Sequence, residues 1–119
     1  MNLERLIYLN LIKKHLRIQP ICAILGARQV GKTTLARQFA SEYAGKVEFF
    51  DLENPTHLAS LETPMLTLSK YPNCLIVIDE IQRKPDLFPI LRVLVDDPKQ
   101  EFKFLILGSA SRDLIRQSS

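Results

Sequence analysis

The chain has 119 residues, 46% of them hydrophobic and 24% charged, which suits one globular domain with a modest core. It has no apolar run of the roughly 18 residues that a transmembrane helix needs, and Leu6–Ile12 is followed by Lys13-Lys14-His15 without a small-residue cleavage site. A membrane span and a signal peptide are therefore not expected, and the expected location is cytoplasmic.

The net charge of +3 and pI near 9.0 are mildly basic. They leave nucleic acid open as a partner without supporting it. Arg5, Lys13, Lys14 and Arg17 crowd the N-terminal segment, but such charged helix faces are usually only solvated. Cys22 and Cys74 are isolated and fall in expected core strands, so they read as buried thiols behaving as small hydrophobes. His15 and His57 lack a partner pattern and are assigned solvated or structural roles.

Residues 1–18 contain neither Gly nor Pro and read as a helix. Their apolar positions, Leu3, Leu6, Ile7, Leu9, Leu11, Ile12 and Leu16, do not form one clean stripe. The preferred expectation is a helix packed on a sheet or on a partner segment. The alternative brings Ile18–Ile21 near a nucleotide base.

A first strand is expected over Ile21–Leu25 and a helix over Lys32–Glu42, with Gly45 as its C-terminal cap. Lys46–Asp51 reads as a second strand. A short helix is expected at Thr56–Leu61. Another starts at Thr63-Pro64 and ends near Tyr71-Pro72-Asn73. Cys74–Asp79 is apolar on both faces, as a buried parallel strand should be. Pro85-Asp86 opens a helix to about Val95, with Pro89 in its first turn. Phe102–Leu107 is the fourth strand, Gly108–Ser111 the turn after it, and Asp113–Gln117 the start of one more helix. Strands alternating with helices imply a parallel α/β sheet with right-handed crossovers.

The stretch Gly26-Ala27-Arg28-Gln29-Val30-Gly31-Lys32-Thr33 fits G-x-x-x-x-G-K-[ST] and lies between a strand and a helix, the setting of a phosphate-binding loop. Unpaired amides and the positive dipole end of the helix attract an anion. Gly26 and Gly31 let the backbone curl around a phosphate. Lys32 supplies a point charge for the β- and γ-phosphates, and the Thr33 hydroxyl can ligate Mg²⁺. The candidate nucleotide-binding set is Gly26 through Thr33 together with Thr34.

Hydrolysis needs more than a phosphate cradle. Leu75-Ile76-Val77-Ile78-Asp79-Glu80 ends an apolar strand in two acids, the Walker B pattern, at the strand end where open α/β sheets bind ligands. Asp79 is the candidate metal carboxylate and Glu80 the candidate general base. Ser109 is the candidate polar sensor of the γ-phosphate, provided that the fourth strand lies between the first and third. Ser111 is second choice and more often a helix cap. Arg112 either reaches phosphate or is solvated. Asp51 either positions Glu80 or its water, or closes an Asx-type turn.

Four pieces in order, Gly26–Leu35, Asp51-Leu52-Glu53-Asn54-Pro55, Ile78-Asp79-Glu80-Ile81-Gln82 and Leu107-Gly108-Ser109-Ala110-Ser111, resemble the AAA-type P-loop ATPases common in bacteria and archaea. In those, a P-loop domain is followed by a helical lid and a C-terminal domain of unknown function. The resemblance implies a three-layer sandwich with strand order 5-1-4-3-2, and ATP with Mg²⁺ as ligands. It carries Lys32 and Thr33 over as phosphate and metal residues, Asp79 as metal ligand, Glu80 as catalytic and Ser109 as sensor.

On that pattern residues 1–18 form an N-terminal helical segment and residues 19–119 a shortened core domain. Strand 5, the lid and an arginine finger are expected beyond this sequence, which leaves the first strand at an edge. A missing finger removes on the order of 10³ to 10⁵ in rate, so slow hydrolysis is expected. The leading reading is an ATP-hydrolysing core that moves neighbouring domains, with self-association or C-terminal domains as partners. A nucleotide-dependent binding switch and an inactive fragment are the alternatives. No Asn-Lys-x-Asp motif supports a GTPase.

Overall fold

The computed structural model describes residues 3–26 and 31–109. Helix α1 (Leu3–Ile18) precedes strand β1 (Ile21–Gly26), and α2 (Lys32–Glu42) leads to β2 (Lys46–Asp51). Two short helices, α3 (Pro55–Ser60) and α4 (Pro64–Leu68), connect to β3 (Cys74–Asp79). A 3-10 turn (Ile81–Arg83), α5 (Leu87–Val95) and β4 (Lys103–Ser109) complete the described chain.

The four strands form one sheet in the order β1-β4-β3-β2, and every pair is parallel. This is the expected order without its fifth strand, and β4 lies between β1 and β3 as the sensor reading required. All four C-terminal ends therefore lie along one edge of the sheet. There Gly26 pairs with Ser109 and Asp51 with Asp79.

The central strands are apolar on both faces because both faces are covered. Side-chain alternation divides them. Ile76, Ile78, Phe104 and Ile106 pack with Leu87, Leu91 and Leu94 of α5. Leu75, Val77, Leu105 and Leu107 pack with Leu35, Ala36 and Phe39 of α2 and with α1. From α1 only Leu9, Ile12 and Leu16 are buried, at helical spacing. Leu3, Leu6, Ile7, Tyr8, Leu11 and Ile18 remain exposed. The untidy apolar pattern of this helix is thus a narrow buried stripe with further apolar residues outside it, and α1 packs on the sheet as preferred.

Several local expectations are corrected. Gly108 and Ser109 are not a turn. The ladder to β1 continues through Leu25–Gly108 and Gly26–Ser109, and parallel pairing satisfies backbone groups that a glycine alone would release. Gly45 is not a left-handed cap, since Gly31 is the positive-φ glycine among the described residues. Helix α2 instead ends at Tyr43, in extended backbone at φ −70° and ψ 136°, with its N–H on Ala40 O at 3.2 Å. Helix α4 stops at Leu68, short of Tyr71. Cys22 is buried as expected, but Cys74, first in its strand, is only partly so. The helix expected at Asp113–Gln117 lies outside the described residues. Among those described, no helix is long and apolar enough to cross a membrane.

Candidate functional site

The strand ends collect the site. β1 stops at Gly26, and the chain is described again at Gly31, which adopts the left-handed conformation (φ 75°, ψ 28°) immediately before α2. Gly31 has no side chain with which to cap this helix start. The first intrahelical bond runs from Leu35 N–H to Gly31 O at 3.0 Å, so the amides of the first turn, Lys32 to Thr34, have no partner within the helix. Lys32, 6% exposed, turns back so that Nζ donates to Gly26 O at 3.2 Å, spanning the two glycines of the motif. Thr34 is exposed one residue beyond Thr33. Ala27, Arg28, Gln29 and Val30 lie outside the described residues, as do Ser111 and Arg112.

Thr33 Oγ1 donates to Asp79 Oδ2 at 2.8 Å, joining the first turn of α2 to the end of β3. Asp79 Oδ1 accepts from the Glu80 backbone N–H at 2.9 Å. Burial, at 5% exposure, pushes the Asp79 carboxyl above its ordinary value. The Thr33 and Glu80 hydrogen bonds oppose that shift, and the charges of Glu80 and Asp51 reinforce it. A cation at this carboxylate would relieve both the burial and the repulsion. Among the described residues no three His, Cys, Asp or Glu side chains form a metal cluster. One carboxylate and one hydroxyl nevertheless suit Mg²⁺, which keeps waters and takes phosphate oxygens for the rest of its shell.

Glu80 sits in the left-handed region, at φ 61° and ψ 46°, and opens the 3-10 turn. Its Oε2 accepts from Gln82 Nε2. Gln82 Oε1 in turn accepts from the Ser109 backbone N–H at 3.2 Å. Ser109 thus enters the cluster through its backbone, on the strand between β1 and β3. Asp51 Oδ1 accepts from Glu53 N–H at 3.0 Å, an Asx-type turn. The Asp51 backbone N–H donates to His57 Nδ1 at 2.8 Å, which gives His57 a structural partner. Gln82 is the residue that sequence reasoning passed over. It lies within the quoted Ile78–Gln82 stretch, but nothing local marks its reach to Ser109, 27 positions away.

A separate groove of about 360 Å³ lies between α1 and the end of α2, lined by Leu6, Leu9, Phe39, Tyr43 and Lys103 among others. It sits at the opposite ends of the strands from Thr33 and takes no part in this cluster.

A family model described as an AAA domain matches residues 18–119. The chain belongs to this family. AAA-domain membership accords with the parallel sandwich and supports nucleotide binding of the P-loop NTPase kind. Two similar proteins are uncharacterized protein Mb2031c of Mycobacterium bovis and uncharacterized protein Rv2008c of Mycobacterium tuberculosis. Each is 49% identical to this AAA domain over 108 residues, which is 91% of this chain and 24% of the relative. The chain thus spans about a quarter of the length of these curated relatives.

Proposed function

We propose that this AAA domain binds ATP with Mg²⁺ at the end of β1 and hydrolyses it, and that the cycle moves neighbouring parts of a cytoplasmic protein or of an assembly with further copies. The observation that carries the reading is the 2.8 Å bond between Thr33 and Asp79, which brings the hydroxyl of one motif onto the carboxylate of the other. Lys32 turns from Gly26 O to the β- and γ-phosphates, and the amides of Gly26–Thr34 cradle them. Thr33 and Asp79 hold Mg²⁺, which neutralises charge on the phosphate oxygens. Glu80 takes the proton of the attacking water, and Ser109 contacts the γ-phosphate side of the site.

A switch with little turnover is the second reading. Titration with ATP and Mg²⁺, followed by phosphate release, tests both. Lys32→Ala should weaken binding. Glu80→Gln should keep binding and lose turnover if the chain is a hydrolase. Equal, negligible phosphate release from wild type and Glu80→Gln, with binding intact, would favour the switch. Unchanged ATP binding by Lys32→Ala would sink the nucleotide site.

A further inference from the structure

We infer that Gln82 is the positioning residue of the site: its side-chain amide bridges the Glu80 carboxylate to the backbone of Ser109 and so fixes the general base against the strand that carries the sensor. The inference rests on the reading of Glu80 as that base. Glu80 Oε2 can only accept, so it takes Nε2, and the Ser109 N–H can only donate, so it takes Oε1. The two partners together leave one orientation of the amide. Neither partner binds equally well to a reversed one.

The surroundings hold this bridge in place. Ile81, wholly buried, anchors the turn before Gln82. Arg83 N–H on Glu80 O and Lys84 N–H on Ile81 O, both at 3.0 Å, close the turn. A glutamate in left-handed backbone with a flexible side chain has many rotamers to lose. A single donor on its carboxylate selects among them. Because Gln82 also holds the end of β4, a shift of Ser109 toward or away from the γ-phosphate is transmitted to the Glu80 carboxylate through one side chain.

Three substitutions separate the two halves of the bridge. Gln82→Glu keeps an acceptor for Ser109 but sets a carboxylate against Glu80. Gln82→Met keeps bulk and loses both bonds. Gln82→Ala loses bulk and bonds together. All three should bind ATP with the affinity of wild type to within about twofold, since among the described residues Gln82 bonds to Glu80 and Ser109 and not to Lys32 or Thr33. Single-turnover hydrolysis should fall by about 10- to 100-fold in all three, the cost of a misplaced reacting group. With Glu80→Gln already present, adding Gln82→Ala should lower the rate no further, because the two act as a unit.

Nuclear magnetic resonance of the nucleotide-free protein reads the bridge without turnover. Glu80→Ala should move the side-chain amide protons of Gln82. The Ser109 amide should exchange faster in Gln82→Ala and Gln82→Met than in Gln82→Glu. Gln82 resonances indifferent to Glu80→Ala would overturn the bridge. Turnover lost in Glu80→Gln but unchanged in all three Gln82 variants would overturn the positioning role while leaving the base intact. Turnover indifferent to Glu80→Gln would overturn the base itself, and the positioning role with it.

Discussion

The Thr33 hydroxyl and the Asp79 carboxylate meet at 2.8 Å although 46 positions separate them in the chain. The bond exists because α2 starts at the end of β1 and β3 lies one strand beyond β4, so that two strand ends face each other across a third. The bond opposes, without cancelling, the effect of burial on how Asp79 responds to protons. Burial holds the Asp79 carboxyl above the ordinary 3.8, so the folded chain keeps a proton at pH values where the unfolded chain has released it.

The stabilising contribution of Asp79 to the nucleotide-free fold is therefore complete below pH 3.8 and is lost as pH rises through the elevated value. Asp79→Asn, neutral throughout, abolishes that dependence. Thermal melts of the two proteins from acid to neutral pH should show wild type losing ground to Asp79→Asn as pH rises. Mg²⁺ with ATP should restore wild type at neutral pH and do little for the variant. A difference between the two proteins that stays flat with pH would contradict the burial argument.

Lys32→Ala should weaken ATP binding by about 10- to 100-fold. A hydrogen bond to a charged group is worth about 1.5–3 kcal/mol, and each 1.4 kcal/mol is about tenfold in Kd. The fold should survive, because Lys32 Nζ donates to a backbone carbonyl, Gly26 O, and Lys32 is not part of the apolar core layers. Calorimetric titration checks the first statement and circular dichroism the second.

The sheet was legible in the sequence because buried parallel strands are written as short, nearly unbroken apolar runs, and Cys74–Asp79 and Phe104–Leu107 are such runs. The candidate site was legible where a motif residue falls at a helix start or a strand end, as at Lys32 and Thr33 of α2 and Asp79 of β3. It was illegible where tertiary pairing decides. Gly108 looked like punctuation until β1 paired with it, and Gly45 looked like a cap that the extended backbone of Tyr43 made unnecessary. The role of Gln82 depends on where Ser109 comes to rest, which no local pattern encodes.

Glu80 is one of two non-glycine residues with positive φ among those described, the other being Asn73. A side chain in left-handed backbone costs about 1–2 kcal/mol. Glu80→Ala and Glu80→Gly both lose the bond to Gln82, but only glycine removes the strain. Glu80→Gly should therefore be more stable than Glu80→Ala by about 1 kcal/mol in urea unfolding, while neither hydrolyses ATP. Equal stability of the two would argue that the backbone is relaxed there.

The two thiols should differ sharply in reactivity. Cys22, 6% exposed on β1, has its thiol pushed up to about 11 by burial, against an ordinary 9.0. A shift of this size cuts its thiolate share at a given neutral pH by about 100-fold, and the thiolate is the nucleophile. Iodoacetamide on the folded protein should label Cys74 first and Cys22 only on unfolding. Between pH 9.0 and about 11 the folded chain holds a thiol proton that the unfolded chain gives up, so stability should fall across that window. The loss is bounded at about 2–3 kcal/mol, and Cys22→Ala should flatten it in alkaline melts relative to wild type. Cys22 is buried in one cluster with Leu9, Ile12 and Leu16 of α1, and labelling of Cys22 at the rate of Cys74 in the folded state would show that this packing does not cover it.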